Sequence, residues 1–111
     1  MIDWSRVDEL VEEIGAEDFG EVVDLFLSEV EGAIDLLETA EGNPVVTEEQ
    51  MHFLKGAALN LGFEHLAQLC LKGEKAAAAG RPEVVTPAEV RRVYETSRTS
   101  FQADLPARLV A

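Results

Sequence analysis

Apolar residues recur along this chain at three- and four-residue intervals almost from end to end and nowhere alternate with period two, a pattern that predicts helices and no sheet. A short first helix from about Ser5 to Ile14 would bury Val7, Leu10, Val11 and Ile14, with Gly15 supplying the left-handed turn that stops it. A second, from about Glu17 to Glu41, carries Phe19, Val22, Val23, Phe26, Val30, Ala33, Ile34 and Leu37 on one stripe, and Gly42-Asn43-Pro44 ends it. Thr47-Glu48-Glu49-Gln50 has the form of a capping box and would open a third helix one turn before His52. Gly62 can close that helix. A fourth, from about Glu64 to Ala79, offers Leu66, Leu69, Cys70, Gly73 and Ala77 for packing, and its small residues permit close helix approach. After the break at Gly80-Arg81-Pro82, Thr86-Pro87-Ala88-Glu89 supplies an N-cap with proline at the first helical position. The last helix runs to about Leu105 and would bury Val90, Val93, Tyr94, Ser97, Phe101 and Leu105.

Connections this short join antiparallel neighbours. The expected fold class is therefore all-α: an antiparallel up-down-up-down four-helix bundle over about residues 17–106, with a short N-terminal helix at about 5–14 capping one end and Trp4 anchoring it.

Composition narrows the function classes. At 111 residues the chain fits one domain, 1–111, with a single core and no room for a nucleotide-binding fold beside a substrate domain. A formal net charge of -13 argues against nucleic acid and anionic membranes, which need clustered Lys and Arg, and favours a protein partner. The acidic residues are spread along the helices, as on a solvated surface. Cys70, the single cysteine, excludes an internal disulfide framework and suits a reducing compartment. No stretch approaches the roughly 20 apolar residues of a membrane span, and the N-terminus lacks the layout of a signal peptide. The expectation is a soluble, cytoplasmic, free-standing monomer.

The candidate chemistry lies in Met51-His52-Phe53-Leu54-Lys55-Gly56-Ala57-Ala58-Leu59-Asn60-Leu61-Gly62. At about 100° per residue from His52, the residues Met51, Leu54, Ala57, Ala58 and Leu61 fall between about 140° and 260° and form the buried stripe. His52 faces water, with Lys55 at about 300°, Gly56 at about 40° and Leu59 near 340° beside it. Glycine inside a helix costs about 1 kcal/mol relative to alanine, so Gly56 calls for a reason. It either clears space beside the imidazole or lets a neighbouring helix pack closely. Phe53 and Leu59 flank the histidine as apolar surface that a partner could bury, or that could instead contact the N-terminal helix.

His52-Phe53-Leu54-Lys55-Gly56 resembles the His-x-x-Lys-Gly element of the histidine phosphotransfer (HPt) domain of two-component phosphorelays. The likeness continues through Gly62 into Leu66, Leu69, Cys70 and Glu74, and departs at Ala57, where many members carry serine. The resemblance implies a phosphocarrier without ATP-dependent kinase activity of its own. His52 would accept a phosphoryl group from a receiver-domain aspartate and pass it to the receiver aspartate of a response regulator. Lys55 would stabilise phosphoryl charge, Gly56 would give steric clearance, and Glu48, Glu49, Phe53, Leu59 and Asn60 would meet the partner. No cofactor is expected on this chain; Mg2+ belongs on the receiver, whether of a hybrid sensor kinase or a response regulator.

Two rival readings use the same residues. Glu49-x-x-His52 matches the Glu-x-x-His element of di-iron bundles, but the second copy and the further inward glutamates are missing. An adaptor bundle that docks a receiver without being phosphorylated remains open. His65 follows Glu64 with no Lys-Gly pair after it and reads as a surface residue, while Cys70, within Leu69-Cys70-Leu71, reads as a packed core thiol.

Overall fold

The computed structural model describes residues 1–109. It contains α1 (Trp4–Ile14), α2 (Ala16–Thr39), α3 (Pro44–Leu61), α4 (Glu64–Ala78) and α5 (Pro87–Leu109), and among the described residues the only β element is an isolated Ile2–Phe63 bridge. The helices α2 to α5 form the expected bundle, a rod of 46 × 21 × 20 Å in which each contacts the next and α5 closes back onto α2.

The core is built from the stripes that the periodicity marks out: Phe19, Val23, Val30, Ile34 and Leu37 from α2, Met51, Leu54, Ala58 and Leu61 from α3, Leu66 and Cys70 from α4, and Val90, Tyr94 and Phe101 from α5 are all buried. Complete burial of one such apolar side chain stabilises the fold by about 1.5–3 kcal/mol. Several stripe positions differ from expectation: Val11, Ile14 and Leu105, expected to be buried, are only partly so and pack against the edge of the core, and α2 shows three more. Leu27 is buried where no core residue was expected, whereas Val22 and Phe26 are only half-buried, because α2 is covered on one side by α3 and on the other by α5.

The start of α3 is a correction. The helix begins a turn before Thr47: the Asn43 side chain accepts the N–H groups of Val45 and Val46 at 3.0 and 3.1 Å, and Pro44 occupies the first turn. Asn43 satisfies two orphan amides at once and Pro44 is pre-set for helix, so this cap wins over the Thr47 box. Thr47 is instead a buried helical residue whose N–H donates to the Asn43 carbonyl. His52 therefore lies two turns inside α3.

At the other end of α3, Gly62 is left-handed with φ 77° and turns the chain directly into α4. Its carbonyl accepts the Asp3 N–H at 2.7 Å, and a Cβ there would stand 2.6 Å from the Asp3 carbonyl oxygen. The glycine thus serves both the turn and the seating of the N-terminal segment. Helix α1 lies over this end as a cap. Trp4 stacks on Phe101 of α5 with centroids 5.8 Å apart, and Arg108 covers the Trp4 ring at 4.7 Å, so the anchoring role expected of Trp4 holds. These contacts also explain why α5 continues past Leu105 and through Pro106: Arg108 pairs with Asp8 at 3.6 Å and Leu109 packs against the core.

Close approach of α3 and α4 sets the geometry of everything that follows. A Cβ on Gly73 would meet Met51 Sδ at 2.8 Å, so with Met51 in its present position the glycine lets α4 lie this near. On the far side of the bundle, Arg91 bridges Asp35 and Glu38, and Glu31 accepts from Tyr94 at 2.6 Å and Arg98 at 2.8 Å, joining α2 to α5.

Candidate functional site

The buried stripe of α3 fixes the direction of His52. With Met51, Leu54, Ala57, Ala58 and Leu61 all turned inward, the His52 side chain projects outward and is 69% exposed. The imidazole is not free, however. Its Nδ1 lies 2.7 Å from Oε2 of Glu74 on α4, and the other carboxylate oxygen, Oε1, accepts from Lys55 Nζ at 2.6 Å.

Glu74 is the residue that the sequence alone did not mark as part of the site. Its signal was a carboxylate at the edge of the apolar stripe of α4, one residue after Gly73 and four after Cys70. The close α3–α4 contact at Gly73 delivers it to His52. Its carboxyl is held below the ordinary carboxylate range, chiefly by the Lys55 ammonium; partial burial opposes this and the His52 ring adds to it. An ionised carboxylate can only accept, so the proton of the hydrogen bond sits on Nδ1. In the neutral form of the ring, Nε2 then carries the lone pair.

Lys55 departs from the picture of a free surface cation. Its side chain is 24% exposed and already committed to Glu74. An ammonium has three N–H groups, so two remain for oxygens arriving beside His52.

Gly56 faces open space: nothing stands within 4 Å of the position a Cβ would take. That removes the alternative in which this glycine permits close helix packing. His52, Phe53, Gly56, Ala57 and Asn60 line a shallow groove with Phe26 and Glu29 of α2. On the other side of the α3 ridge, Lys55 and Leu59 line a second groove with Glu64, Ala67, Gln68 and Leu71 of α4. Phe53 and Leu59 are 42% and 56% exposed, and both face these grooves. Contact with α1 falls instead to Asn60, whose carbonyl accepts from Arg6 Nε at 3.2 Å. Glu48 and Glu49 are exposed on the turn before His52 and line neither groove.

Other reactive groups lie apart. His65 is exposed at the start of α4. Cys70 is buried, and burial, with the nearby Glu74 charge, pushes its thiol up to about 12. No group of three or more His, Cys, Asp and Glu side chains is placed to hold a metal ion among the described residues, and Glu49 is not drawn to His52. No helix among them is long and apolar enough to cross a membrane.

The arrangement offers an outward nitrogen nucleophile with its tautomer fixed from behind, an adjacent cation, and open space on the helix face. Comparison with known families agrees with that chemistry: the family model described as Hpt domain matches residues 21–100, which include α3 and α4 entire. No curated protein and no solved structure matches the chain.

Proposed function

The chain belongs to the Hpt domain family, and from that premise we propose that His52 is its phosphoacceptor, with Lys55 and Gly56 completing the transfer site and Glu74 positioning the ring. The protein is a phosphocarrier of histidine phosphotransfer between receiver domains and has no ATP-dependent kinase activity of its own. The observation that carries the residue assignment is a His52 side chain that is 69% exposed while its Nδ1 is held 2.7 Å from the Glu74 carboxylate, which leaves Nε2 as the unengaged ring nitrogen.

The transfer step follows from this geometry. Nε2 attacks the phosphorus of a receiver's aspartyl phosphate in line; the N–P bond forms as the P–O bond to the aspartate breaks, and the electron pair leaves with the aspartate carboxylate. The ring gains positive character, which the Glu74 carboxylate 2.7 Å from Nδ1 offsets. Lys55 directs its remaining N–H groups to the phosphoryl oxygens, and the bare backbone at Gly56 leaves room for them. Transfer to a second receiver is the same step reversed. Such a loose transition state needs positioning and charge neutralisation more than covalent help from the protein. Mg2+ and the acidic pocket are the receiver's contribution.

The finer assignments complete the reading. The receivers are those of a hybrid sensor kinase and a response regulator, meeting in the cytoplasm, where an unpaired Cys70 stays reduced. Phe53, Leu59 and Asn60, on the two grooves beside His52, are the partner contacts, joined by Glu48 and Glu49, exposed on the preceding turn of α3. The test is to incubate the protein with a phosphorylated receiver and Mg2+. An acid-labile, base-stable label that is lost in His52→Gln is expected. Label retained in His52→Gln would move the site elsewhere, and docking with no label in the unsubstituted protein would favour the adaptor reading.

A further inference from the structure

The cations of this chain are unevenly matched with carboxylates. Arg6, Lys55, Arg91, Arg98 and Arg108 each sit in an ion pair, whereas Lys72, Lys75, Arg81 and Arg92 have no ion-pair partner among the described residues. Three of these four, Lys72, Lys75 and Arg81, line one shallow concavity with Ala76 and Val84 at the end of α4. In a chain with formal net charge -13, such a gathering of unmatched cations calls for a cause.

The helix dipole explains only part of it. Lys75 is in the last turn of α4 and complements its C-terminus, but Lys72 lies a turn earlier and Arg81 lies beyond the helix end. Lys72 and Lys75 are three residues apart and repel each other, and neither has an acidic residue three or four positions away on α4.

The concavity adjoins the transfer face. Leu71, the residue before Lys72, lines the groove that also holds Lys55 and Leu59. Across the α3 ridge the charge is of the other sign, with Glu29 in the groove beside His52. On the α4 side Glu64 lies in the groove with Lys55 and Glu74 pairs with His52, so the unmatched cations begin only beyond Leu71, at Lys72 and Lys75.

Resting on the reading of His52 as phosphoacceptor, we infer that Lys72, Lys75 and Arg81 form an electrostatic docking strip for an acidic border of the receiver domain, and so set the orientation in which it approaches. An interface of about 800 Å² per partner reaches roughly 16 Å from its centre. Packed helices lie roughly 8–10 Å apart, so a receiver centred on His52 covers the outer face of α4 as well. Charge complementarity of this kind acts on encounter and partner choice more than on the chemical step, and salt screens it.

The test uses the receiver of the host's set that phosphorylates the unsubstituted protein fastest, with transfer followed against receiver concentration. In Lys72→Glu/Lys75→Glu/Arg81→Glu the half-saturating concentration should rise at least about tenfold at about 50 mM salt while the saturating rate stays within about twofold; at about 0.5 M salt the difference should shrink below about threefold. The neutral variant Lys72→Gln/Lys75→Gln/Arg81→Gln should fall between the two proteins, which separates lost attraction from any loss of fold. Unchanged half-saturation in both variants overturns the strip and leaves the phosphoacceptor reading standing. Failure of every receiver to label His52 in the unsubstituted protein overturns both.

Discussion

Glu74 Oε2 and His52 Nδ1, on neighbouring antiparallel helices, are 2.7 Å apart, a contact that engages Nδ1 and leaves Nε2 as the ring nitrogen for the proposed transfer. Removing the carboxylate frees the imidazole to exchange tautomers and removes the charge that offsets the phosphorylated ring. Glu74→Ala should therefore slow single-turnover transfer about tenfold to a hundredfold, a range typical of losing a group that orients a reactive one. Ring 15N shifts should move from a predominantly Nδ1–H form toward a mixture. An unchanged tautomer ratio would show that Glu74 does not position the ring.

The same carboxylate gives a pH dependence of definite sign. The carboxyl of Glu74 is lowered from 4.5 in the folded protein, mainly by Lys55, so its pairing stabilises the fold above 4.5 and is lost as pH falls through the lowered folded value. Unfolding measured from pH 7 to 3 should show the stability of the unsubstituted protein falling relative to Glu74→Gln only below about pH 4.5. The pair's contribution is about 1 kcal/mol or less, as expected of partly exposed groups. A gap between the two proteins that opens near pH 6 instead would assign the dependence to another group.

The sequence makes the inward stripe of α3 plain because Met51, Leu54, Ala57, Ala58 and Leu61 obey one helical period, and the outward direction of His52 follows from it. It does not settle where α3 begins, since Asn43-Pro44 and Thr47 to Gln50 both carry start signals and only the packing of Thr47 against the core decides between them. Nor does it show Glu74 in its role. That role depends on the register between α3 and α4, which Gly73 and Met51 set through a contact between residues far apart in sequence.

Lys55 and Gly56 should separate function from stability in opposite ways. Lys55→Ala should slow transfer about tenfold with little change in melting temperature, because the residue lies at the surface and its pair with Glu74 is modest. Gly56→Leu adds a side chain where a Cβ meets nothing within 4 Å and replaces the helix-weakening glycine. Stability should rise by up to about 0.8 kcal/mol while receiver-dependent transfer falls at least about tenfold. Full transfer in Gly56→Leu would remove the account of this glycine as clearance.

Cys70 is fully enclosed, and its thiol, pushed up to about 12, stays protonated across the neutral range. Since only the thiolate alkylates readily, iodoacetamide at pH 8 should label the native protein at least about a hundredfold more slowly than the denatured chain. Mass spectrometry along a denaturant series should show labelling that follows unfolding. Rapid labelling of the native protein would mean that α4 opens locally at the position supporting Glu74.

Gly73 is the position at which fold and chemistry meet most directly. An alanine there brings Cβ to 2.8 Å from Met51 Sδ and 2.9 Å from Met51 Cε, and Met51 is wholly buried, so the sulfur has no solvent to move into. Relief requires either a strained Met51 rotamer or a slight retreat of α4. Overpacking costs about 1–3 kcal/mol, and the better helix propensity of alanine returns about 1 kcal/mol. Gly73→Ala should therefore be destabilised by up to about 2 kcal/mol, a fall in melting temperature of several degrees. If α4 retreats, Glu74 retreats with it, so transfer should slow as it does in Glu74→Ala, and the ring 15N shifts should change in the same direction. Shortening the obstructing side chain in Gly73→Ala/Met51→Ala should recover transfer more than stability, because that pair restores the approach of the helices but leaves the core underfilled. Normal transfer and an unshifted tautomer in Gly73→Ala would show that Met51 yields on its own and that the helix spacing does not govern the reach of Glu74.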